Sequence, residues 1–387
     1  MKALGSLIAL TGLTLLLTGC WSKMELTERA FVLALAVDKG KEEPLEVTAQ
    51  IYRPASQFGA PSVQTTSTSF VNITLDGNSL SSIIRNTKTV SGRHSQFSHI
   101  QIILISEEVA RERLSSILDF FYRDPEIRLG TSVVIARGKA RDYLAGKAMI
   151  ENTLGSQVFK QLNFSANLAA RAVNTTILDL AFQLKSESAS AMLPIIMHDR
   201  QFKQNLVQGI ALAKPDGVVG RVAPDKVPYL LLAANEYNYG VLEVPCGRGE
   251  AAGQKESLEV LRANSKVTPV LKGDSVSANI EVKIDASIGE MVCTMVRDMK
   301  DEAKYAKRIE QHFKEELESV LNTLQKQQTD VLGIGHKIYL RHPYRWKKMK
   351  PDWPETYARI PIKVNVQVDI ANSKMMNPGP FSRIGED

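Results

Sequence analysis

The sequence predicts an α+β protein of three mixed α/β domains, with mostly antiparallel sheets and packed helices, preceded by a lipoprotein signal peptide. Short apolar runs with strand character alternate with amphipathic helical segments. Residues 359–371 alternate between apolar and polar side chains, as in a strand with one buried face. Residues 298–327 carry a continuous apolar stripe at helical spacing. The chain of 387 residues is 44% hydrophobic and 23% charged, which excludes a disordered or collagen-like protein.

Residues 1–19 are interpreted as a signal peptide. Lys2 supplies a positive charge, and no charged residue occurs from position 4 to position 17. This apolar run has the length of a signal-peptide core and is shorter than the ~20 residues that a membrane-spanning helix needs. It ends at Leu17-Thr18-Gly19-Cys20, which resembles the bacterial lipobox. We therefore expect Cys20 to receive S-diacylglycerol and an N-acyl chain; the alternatives are a plain secretory signal with a chance cysteine and a buried apolar helix.

Turn-forming clusters at 198–205 and 247–255 divide the rest of the chain. The predicted units are an N-terminal α/β domain at 20–199, a small middle domain at 200–252, a C-terminal α/β domain at 253–374 and a flexible tail at 375–387.

The N-terminal domain is predicted to begin with a hairpin. Residues 31–38 form a short apolar run, residues 45–52 alternate, and the Ser/Thr/Pro-rich stretch 54–69 is predicted to be an exposed loop. Ser106, followed by two glutamates, is typical of a helix N-cap. Further strands are predicted at 100–105 and 131–136, and helices at 79–89, from 106 onward, at 139–144 and weakly within 153–186.

The later part of the chain predicts a hairpin and a long helix. Strands are predicted at 208–214, 218–222, 241–244, 258–261, 275–284 and 359–371, with a short helix or strand at 226–235. The apolar stripe of helix 298–327 is predicted to consist of Ala303, Ala306, Ile309, Phe313, Leu317, Val320, Leu321 and Leu324. This face is expected to pack on the core that the last strand also faces.

Common catalytic and metal-binding spacings do not occur in the sequence. The six histidines show no HExxH pattern and no Cys/His zinc spacing, and there is no Gly-x-Ser-x-Gly motif. Gly333-Ile334-Gly335 follows a predicted helix and precedes a predicted strand, the reverse of a dinucleotide-binding loop, so it is interpreted as a helix-ending turn. We expect no catalytic, cofactor-binding or metal-binding residues.

Two parts of the sequence together resemble one family. The first comprises Cys20-Trp21, Glu25-Leu26 and a strand ending at Val37-Asp38. The second comprises the segment TDVLGIG at 329–335, Trp346-Lys347-Lys348, Trp353 and the alternating strand. In this order they resemble the Ger(x)C family, the lipoprotein C subunits of spore germinant receptors in endospore-forming bacteria.

The resemblance implies a lipid-anchored, non-catalytic C subunit of a nutrient germinant receptor, without a cofactor. It also implies integral-membrane A and B subunits as partners, and a location on the outer, extracytoplasmic face of the spore inner membrane. Whether this subunit contacts the germinant stays open. The mild net charge of +6 does not indicate a nucleic-acid partner.

Two other protein classes remain as alternatives. A solute-binding lipoprotein of a transporter would have two doubly wound lobes around a cleft. A cell-envelope hydrolase would show a catalytic constellation in a pocket.

A basic run is the predicted contact surface. Residues 332–350 contain no acidic residue, and their Lys and Arg side chains are interleaved with aromatic ones. Arginine and aromatic residues are enriched at protein interfaces. The expected contact residues are Arg341, Arg345, Trp346, Lys347 and Lys348; the alternatives are a solvated loop and a site for anionic lipid headgroups.

Two cysteines remain after lipidation of Cys20. Export would permit a disulfide between Cys246 and Cys293. Neither belongs to the family pattern, and the sequence-based expectation is two free buried thiols.

Overall fold

The computed structural model describes residues 25, 28–53, 69–246, 253–273, 275–294, 296 and 298–370. These residues form two β-sheets with helices packed against them, which confirms the predicted α+β class. The lipobox with Cys20, most of the predicted loop at 54–69, and the predicted tail lie outside the described residues. Within the described ranges, no helix combines the length and apolarity needed to cross a membrane.

The first sheet is parallel at its centre and antiparallel toward its edges. Its strands are β1 (Arg29–Asp38), β2 (Leu45–Tyr52), β3 (Phe70–Gly77), β4 (His94–Gln96), β5 (Ile102–Ser106), β6 (Ser132–Ala136), β7 (Ala191–Asp199), β8 (Gln204–Lys214) and β9 (Gly217–Val222). They lie in the order β3-β2-β1-β5-β6-β7-β8-β9, with β4 beside β1. The pairs β1–β5, β5–β6 and β6–β7 are parallel because their connections cross over through helices.

Helices cover both faces of this sheet. The helices α1 (Leu80–Ser91), α2 (Glu107–Arg123) and α4 (Ile177–Lys185) pack on one face, and α3 (Leu154–Asn167) packs on the other. Successive residues of β5 point alternately into the two layers: Ile103 and Ile105 into one, Ile102 and Leu104 into the other. Burial on both faces explains why β5 is a continuous apolar run. The helix predicted at 139–144 is a 3-10 turn, Ala140–Leu144, on the α3 face.

The strand β7 was not predicted, because a proline interrupts its pattern and turn-forming residues follow it. Pro194 lies beside a shift in the β7–β8 register, between Pro194 and Ile196. Proline is tolerated in strands at such irregular positions. The strand extends to Asp199, into the turn cluster predicted at 198–205.

The second sheet carries the long helix on one face. Its strands are β10 (Gly240–Pro245), β11 (Lys255–Lys272), β12 (Ser275–Glu290) and β13 (Ile362–Ile370), in that order, and β13 runs parallel to β12. The helix α6 (Met299–Lys326) packs against this sheet through Ile309, Phe313 and Leu317. Ala303 is exposed and Ala306 only partly buried, contrary to the predicted stripe; Tyr305, one turn before Ile309, continues the buried face instead.

The predicted middle unit, residues 200–252, contributes to both sheets. The hairpin β8–β9 extends the first sheet, whereas β10 forms an edge of the second. Between them lies α5 (Val227–Ala234), whose Leu230 packs in one apolar cluster with Ile210 of β8 and Phe313 of α6. The division into three domains remains a prediction.

Cys246 and Cys293 form a disulfide, so the expectation of two free thiols is wrong. Their Cα atoms are 5.9 Å apart although the residues are 47 positions apart in sequence. Cys246 follows β10 and Cys293 follows β12, and both strands pair with β11, which brings the two strand ends together. The spacing of the two cysteines in the sequence does not predict that they lie close together.

Candidate contact surface

A buried carboxylate organises the segment that follows the long helix. Asp330 is 2% exposed and accepts four hydrogen bonds. Its Oδ1 accepts from the backbone N–H of Ile334 at 2.9 Å, and its Oδ2 accepts from the N–H of Gly335 at 2.7 Å. The other two donors are Ser188 Oγ at 2.9 Å and Trp353 Nε1 at 3.1 Å. Burial raises the pKa of Asp330, and these four hydrogen bonds act against that rise.

The glycines of the TDVLGIG segment begin a helix rather than end one, which corrects their interpretation as a helix-ending turn. Gly333 has φ of +67°, a conformation that favours glycine, and is the N-cap of α7 (Ile334–Arg341). Gly335 packs directly against the indole rings of Trp346 and Trp353. A short helix therefore follows, where a strand was predicted.

Two tryptophans pack together in this region, and one of them joins it to the first sheet. Trp346, in α8 (Pro343–Met349), and Trp353, which begins α9 (Trp353–Tyr357), have ring centroids 5.1 Å apart with an interplanar angle of 67°. Trp346 Nε1 donates to Glu187 Oε2 at 2.6 Å, and Lys350 Nζ lies 2.8 Å from the same oxygen. These two partners hold the pKa of Glu187 below its ordinary value. Because Glu187 precedes β7, these contacts attach α8 and the residues after it to the first sheet.

The predicted contact residues have different environments in the structure. Trp346 is 2% exposed and belongs to the core, so its assignment to a contact surface is wrong. Arg345 is half-buried and donates to the backbone oxygen of Gly273 in the β11–β12 turn. Arg341, Lys347 and Lys348 are exposed, and none of the three forms an ion pair with the described residues.

Two exposed apolar residues accompany these three cations. Tyr344 is 89% exposed and Leu340 is 66% exposed, although both are large. Within α8, positions 344, 347 and 348 follow helical i, i+3, i+4 spacing and share one face. Leu340, Arg341, Tyr344, Lys347 and Lys348 are called the basic helical face below.

Leu340 was not among the contact residues expected from the sequence. Ile338, two positions earlier in α7, is fully buried whereas Leu340 is exposed, because residues two positions apart in a helix point to different sides. The short helices α7 and α8 thus expose Arg341, Lys347 and Lys348, and the Asp330–tryptophan cluster packs on their buried side.

The described residues contain one cluster with metal-ligand character, formed by Cys246, Glu256 and Cys293. The two sulfurs are bonded to each other. Glu256, fully buried, accepts from the backbone N–H of Cys293 at 3.0 Å and from Thr294 Oγ1 at 3.0 Å, and it pairs with Arg308. The disulfide and the hydrogen bonds of Glu256 explain why these three residues lie together, so the cluster has a structural role.

Family models match the chain in two successive segments. Residues 22–197 match the spore germination protein N-terminal domain, and residues 208–374 match the spore germination B3/GerAC-like C-terminal domain. Together these segments cover nearly all of the described residues. The Asp330–tryptophan cluster lies in the second segment, and its partners Glu187 and Ser188 lie in the first.

Curated relatives are similar along almost their whole length. The chain is 24% identical to spore germination protein KC of Bacillus subtilis (strain 168) over 395 residues, with 94% of each chain covered. It is 24% identical to spore germination protein YndF of the same organism, covering 96% of this chain and 97% of that one. It is 24% identical to spore germination protein A3, covering 94% and 97%.

One solved structure has the same fold. The crystal structure of the GerBC protein aligns with a TM-score of 0.59 and 19% sequence identity, covering 87% of this chain and 97% of the other. At this identity the likeness concerns the fold. An arrangement of two doubly wound lobes, expected for a solute-binding lipoprotein, differs from the two unlike sheets observed here.

Proposed function

This chain belongs to the Ger(x)C family of spore germination proteins of germinant-receptor type, and we propose that it is the lipid-anchored C subunit of a nutrient germinant receptor. The observation that carries the proposal is the ordered match of both family segments along nearly the whole chain. The subunit is needed for the germination response and is not an enzyme. Its partners are the integral-membrane A and B subunits of the same receptor.

The proposed anchor is the lipid on Cys20. The sequence Leu17-Thr18-Gly19-Cys20 at the end of an uncharged apolar run supports this modification. One acyl chain gives marginal membrane binding, whereas two or more hold a protein stably. The anchored protein then lies on the outer face of the spore inner membrane.

The basic helical face is the proposed docking surface for the membrane subunits or for anionic headgroups beside them. Its three exposed cations have no ion-pair partner among the described residues, and two large apolar side chains lie with them. Cationic and aromatic residues exposed together are typical of interfaces. Because the face is held by a buried cluster, it can present the same arrangement to a partner without ordering on binding.

The proposal is tested in spores that carry a Cys20→Ala or a Ser22→Ala chain. Ser22→Ala keeps the lipobox and serves as the matched control. Mass spectrometry of the mature N-terminus should find a lipid-modified Cys20 in the wild type and in Ser22→Ala, and none in Cys20→Ala.

Co-purification from spore membranes should recover A and B subunits with the wild type and the control. Nutrient-triggered germination should slow in Cys20→Ala. The effect is partial if contact with the membrane subunits substitutes for the lipid. A mature wild-type protein that begins elsewhere, or with unmodified Cys20, would contradict the anchor; a wild-type protein that purifies without membrane subunits would contradict the receptor assignment.

A further inference from the structure

A crevice opens where two neighbouring parallel strands are followed by chain on opposite faces of the first sheet. After β5, the chain enters α2 on one face; after β6, it enters the 3-10 turn Ala140–Leu144 on the other. A cavity of about 450 Å³ lies there, between Ser106 at the end of β5 and Lys139 after β6. In open α/β sheets, ligands bind outside the carboxyl ends of strands at such a switch of faces.

Ser106 lines this cavity, and its hydroxyl has no partner among the described residues. Ser106 is 3% exposed, and its Oγ has no hydrogen bond among the described residues. The sequence predicted that this serine caps α2, but its side chain accepts no hydrogen bond from the helix. By contrast, Ser79 at the start of α1 does accept, from the N–H of Ser82. A buried hydroxyl without a partner is unfavourable, which indicates that something else supplies one.

The first residues of α2, Glu107 and Glu108, line the same cavity. This helix has 17 residues, and no side chain caps its start. Its N-terminus therefore offers unsatisfied donors and the positive end of the helix dipole. Such a terminus binds anions readily.

The acidic groups around the cavity are already matched. Glu108 lies 2.9 Å from Lys39 Nζ, and Glu107 lies 2.6 Å from Arg111 Nη2. Asp38 accepts the backbone N–H groups of Ala140 and Arg141, at 2.7 Å and 2.9 Å. The side chains that line this cavity, three carboxylates and three cations, balance in formal charge, and among them Lys139 is exposed and forms no ion pair with the described residues.

A second cavity, of about 420 Å³, adjoins the first through Gly138, which lines both. It is lined by Arg137 and Arg200, at the ends of β6 and β7. Neither guanidinium forms an ion pair or a side-chain hydrogen bond with the described residues. Arginine is suited to two-pronged recognition of carboxylate and phosphate groups. Three unmatched cations therefore surround Gly138.

We propose that this crevice binds a small organic anion, with its carboxylate or phosphate group at Ser106 and the start of α2. The group accepts hydrogen bonds from Ser106 Oγ and from the first N–H groups of α2. Lys139, Arg137 and Arg200 balance its charge. The combined space matches the size of ordinary small-molecule sites, about 300–1,000 Å³. The proposal is independent of the assignment as a receptor subunit, since it depends on the first sheet alone.

Isothermal titration calorimetry of the full chain in detergent at low ionic strength tests this, with citrate and inorganic phosphate as probes. The variants are Ser106→Ala and the pair Arg137→Gln/Arg200→Gln. Arg123→Gln is the matched control: it removes an arginine at the far end of α2, where Arg123 pairs with Asp119. Thermal unfolding establishes that each variant folds.

At least one probe should bind, and both site variants should weaken binding about tenfold or more, because hydrogen bonds to charged groups are lost. Arg123→Gln should bind as the wild type does. Binding of citrate alone or of phosphate alone would identify the group as a carboxylate or a phosphate. If neither probe binds, or if the site variants bind like Arg123→Gln, the proposal is wrong. If Ser106→Ala does not fold, binding to the Arg137→Gln/Arg200→Gln variant alone tests the proposal.

Discussion

Gly335 lies so close to Trp346 that a Cβ added to the glycine would stand 2.5 Å from the indole carbon Cη2. The same Cβ would stand 2.7 Å from Nε1 of Trp353, which donates to Asp330. The second glycine of the TDVLGIG segment is therefore a packing requirement. It lets α7 start against the two indole rings while its first N–H groups reach Asp330.

Gly335→Ala should destabilise the protein by about 1–3 kcal/mol, because both indoles are buried and cannot move aside freely. Gly130→Ala is the control, since a Cβ at that position meets nothing within 4 Å. Urea unfolding midpoints measure the difference. Equal midpoints for the two variants would show that the tryptophan cluster is loosely packed.

Acid should remove the contribution of Glu187. Its pKa is lowered by Lys350 and Trp346, so its ionised form stabilises the folded state. That stability is present above the ordinary pKa of about 4.3 and is lost as the pH falls through the lower folded-state value. Glu187→Gln should thus have a lower free energy of unfolding than the wild type near neutral pH. This difference between the two proteins should disappear as the pH falls below about 4. Urea unfolding at several pH values measures this difference. In a Lys350→Ala background, the difference that Glu187→Gln makes should be smaller. A difference that does not change with pH would contradict the ion pair.

Phe313→Ala should remove a fully buried ring from the interface between α6 and the second sheet. The expected loss is about 3–5 kcal/mol. Lys326→Ala, on the exposed side of the last turn, should change stability by less than about 0.5 kcal/mol. Urea unfolding of both variants makes the comparison. Similar losses would mean that the helix packs through another face.

Removing the Cys246–Cys293 bond should destabilise the protein by about 2–4 kcal/mol, because a crosslink between residues 47 positions apart restricts the unfolded chain. The double variant Cys246→Ser/Cys293→Ser should unfold at lower urea than the oxidised wild type. Reductant should lower the wild-type midpoint and leave that of the double variant unchanged. A wild type indifferent to reductant would show that the two thiols are not joined in the isolated protein.

Reversing Arg341, Lys347 and Lys348 to Glu should leave the free energy of unfolding within about 0.5 kcal/mol of the wild type, since all three are exposed. Recovery of the membrane subunits on co-purification, or binding to vesicles with anionic lipid, should fall severalfold. The control reverses three exposed lysines of α6, at 300, 304 and 307. Unchanged binding in both assays would remove the contact role from the basic helical face.

Local patterns in the sequence predicted several elements well. The hairpin β1–β2, the crossover strands β5 and β6, the long helix α6 and the last strand β13 were all expected near their observed positions. Each has a strong period, either 2 or about 3.6, that its own side chains create. The strand β7 was missed because Pro194 breaks that period, and the register shift beside Pro194 appears only in the pairing of β7 with β8.

The candidate surface, too, was predicted from the sequence only in part. Its cations are visible in the sequence as a run without acids, but Trp346 and Arg345 belong to that run and face elsewhere. Whether a side chain of this basic, aromatic segment turns inward depends on the site elsewhere in the fold that it packs against. That site consists of Glu187, Ser188 and the β11–β12 turn, far away in sequence.

The sequence by itself determined the class of the fold, the periodic elements and the family, because these depend on side-chain order along a short stretch or on motifs in a set order. Tertiary structure alone decided the disulfide, the environment of Asp330 and the unmatched hydroxyl of Ser106. Each of these depends on groups brought together from separate strands and helices. Pairing, burial and hydrogen bonding are properties of neighbours in space, and residues as far as 159 positions apart, such as Glu187 and Trp346, become neighbours only when the chain folds.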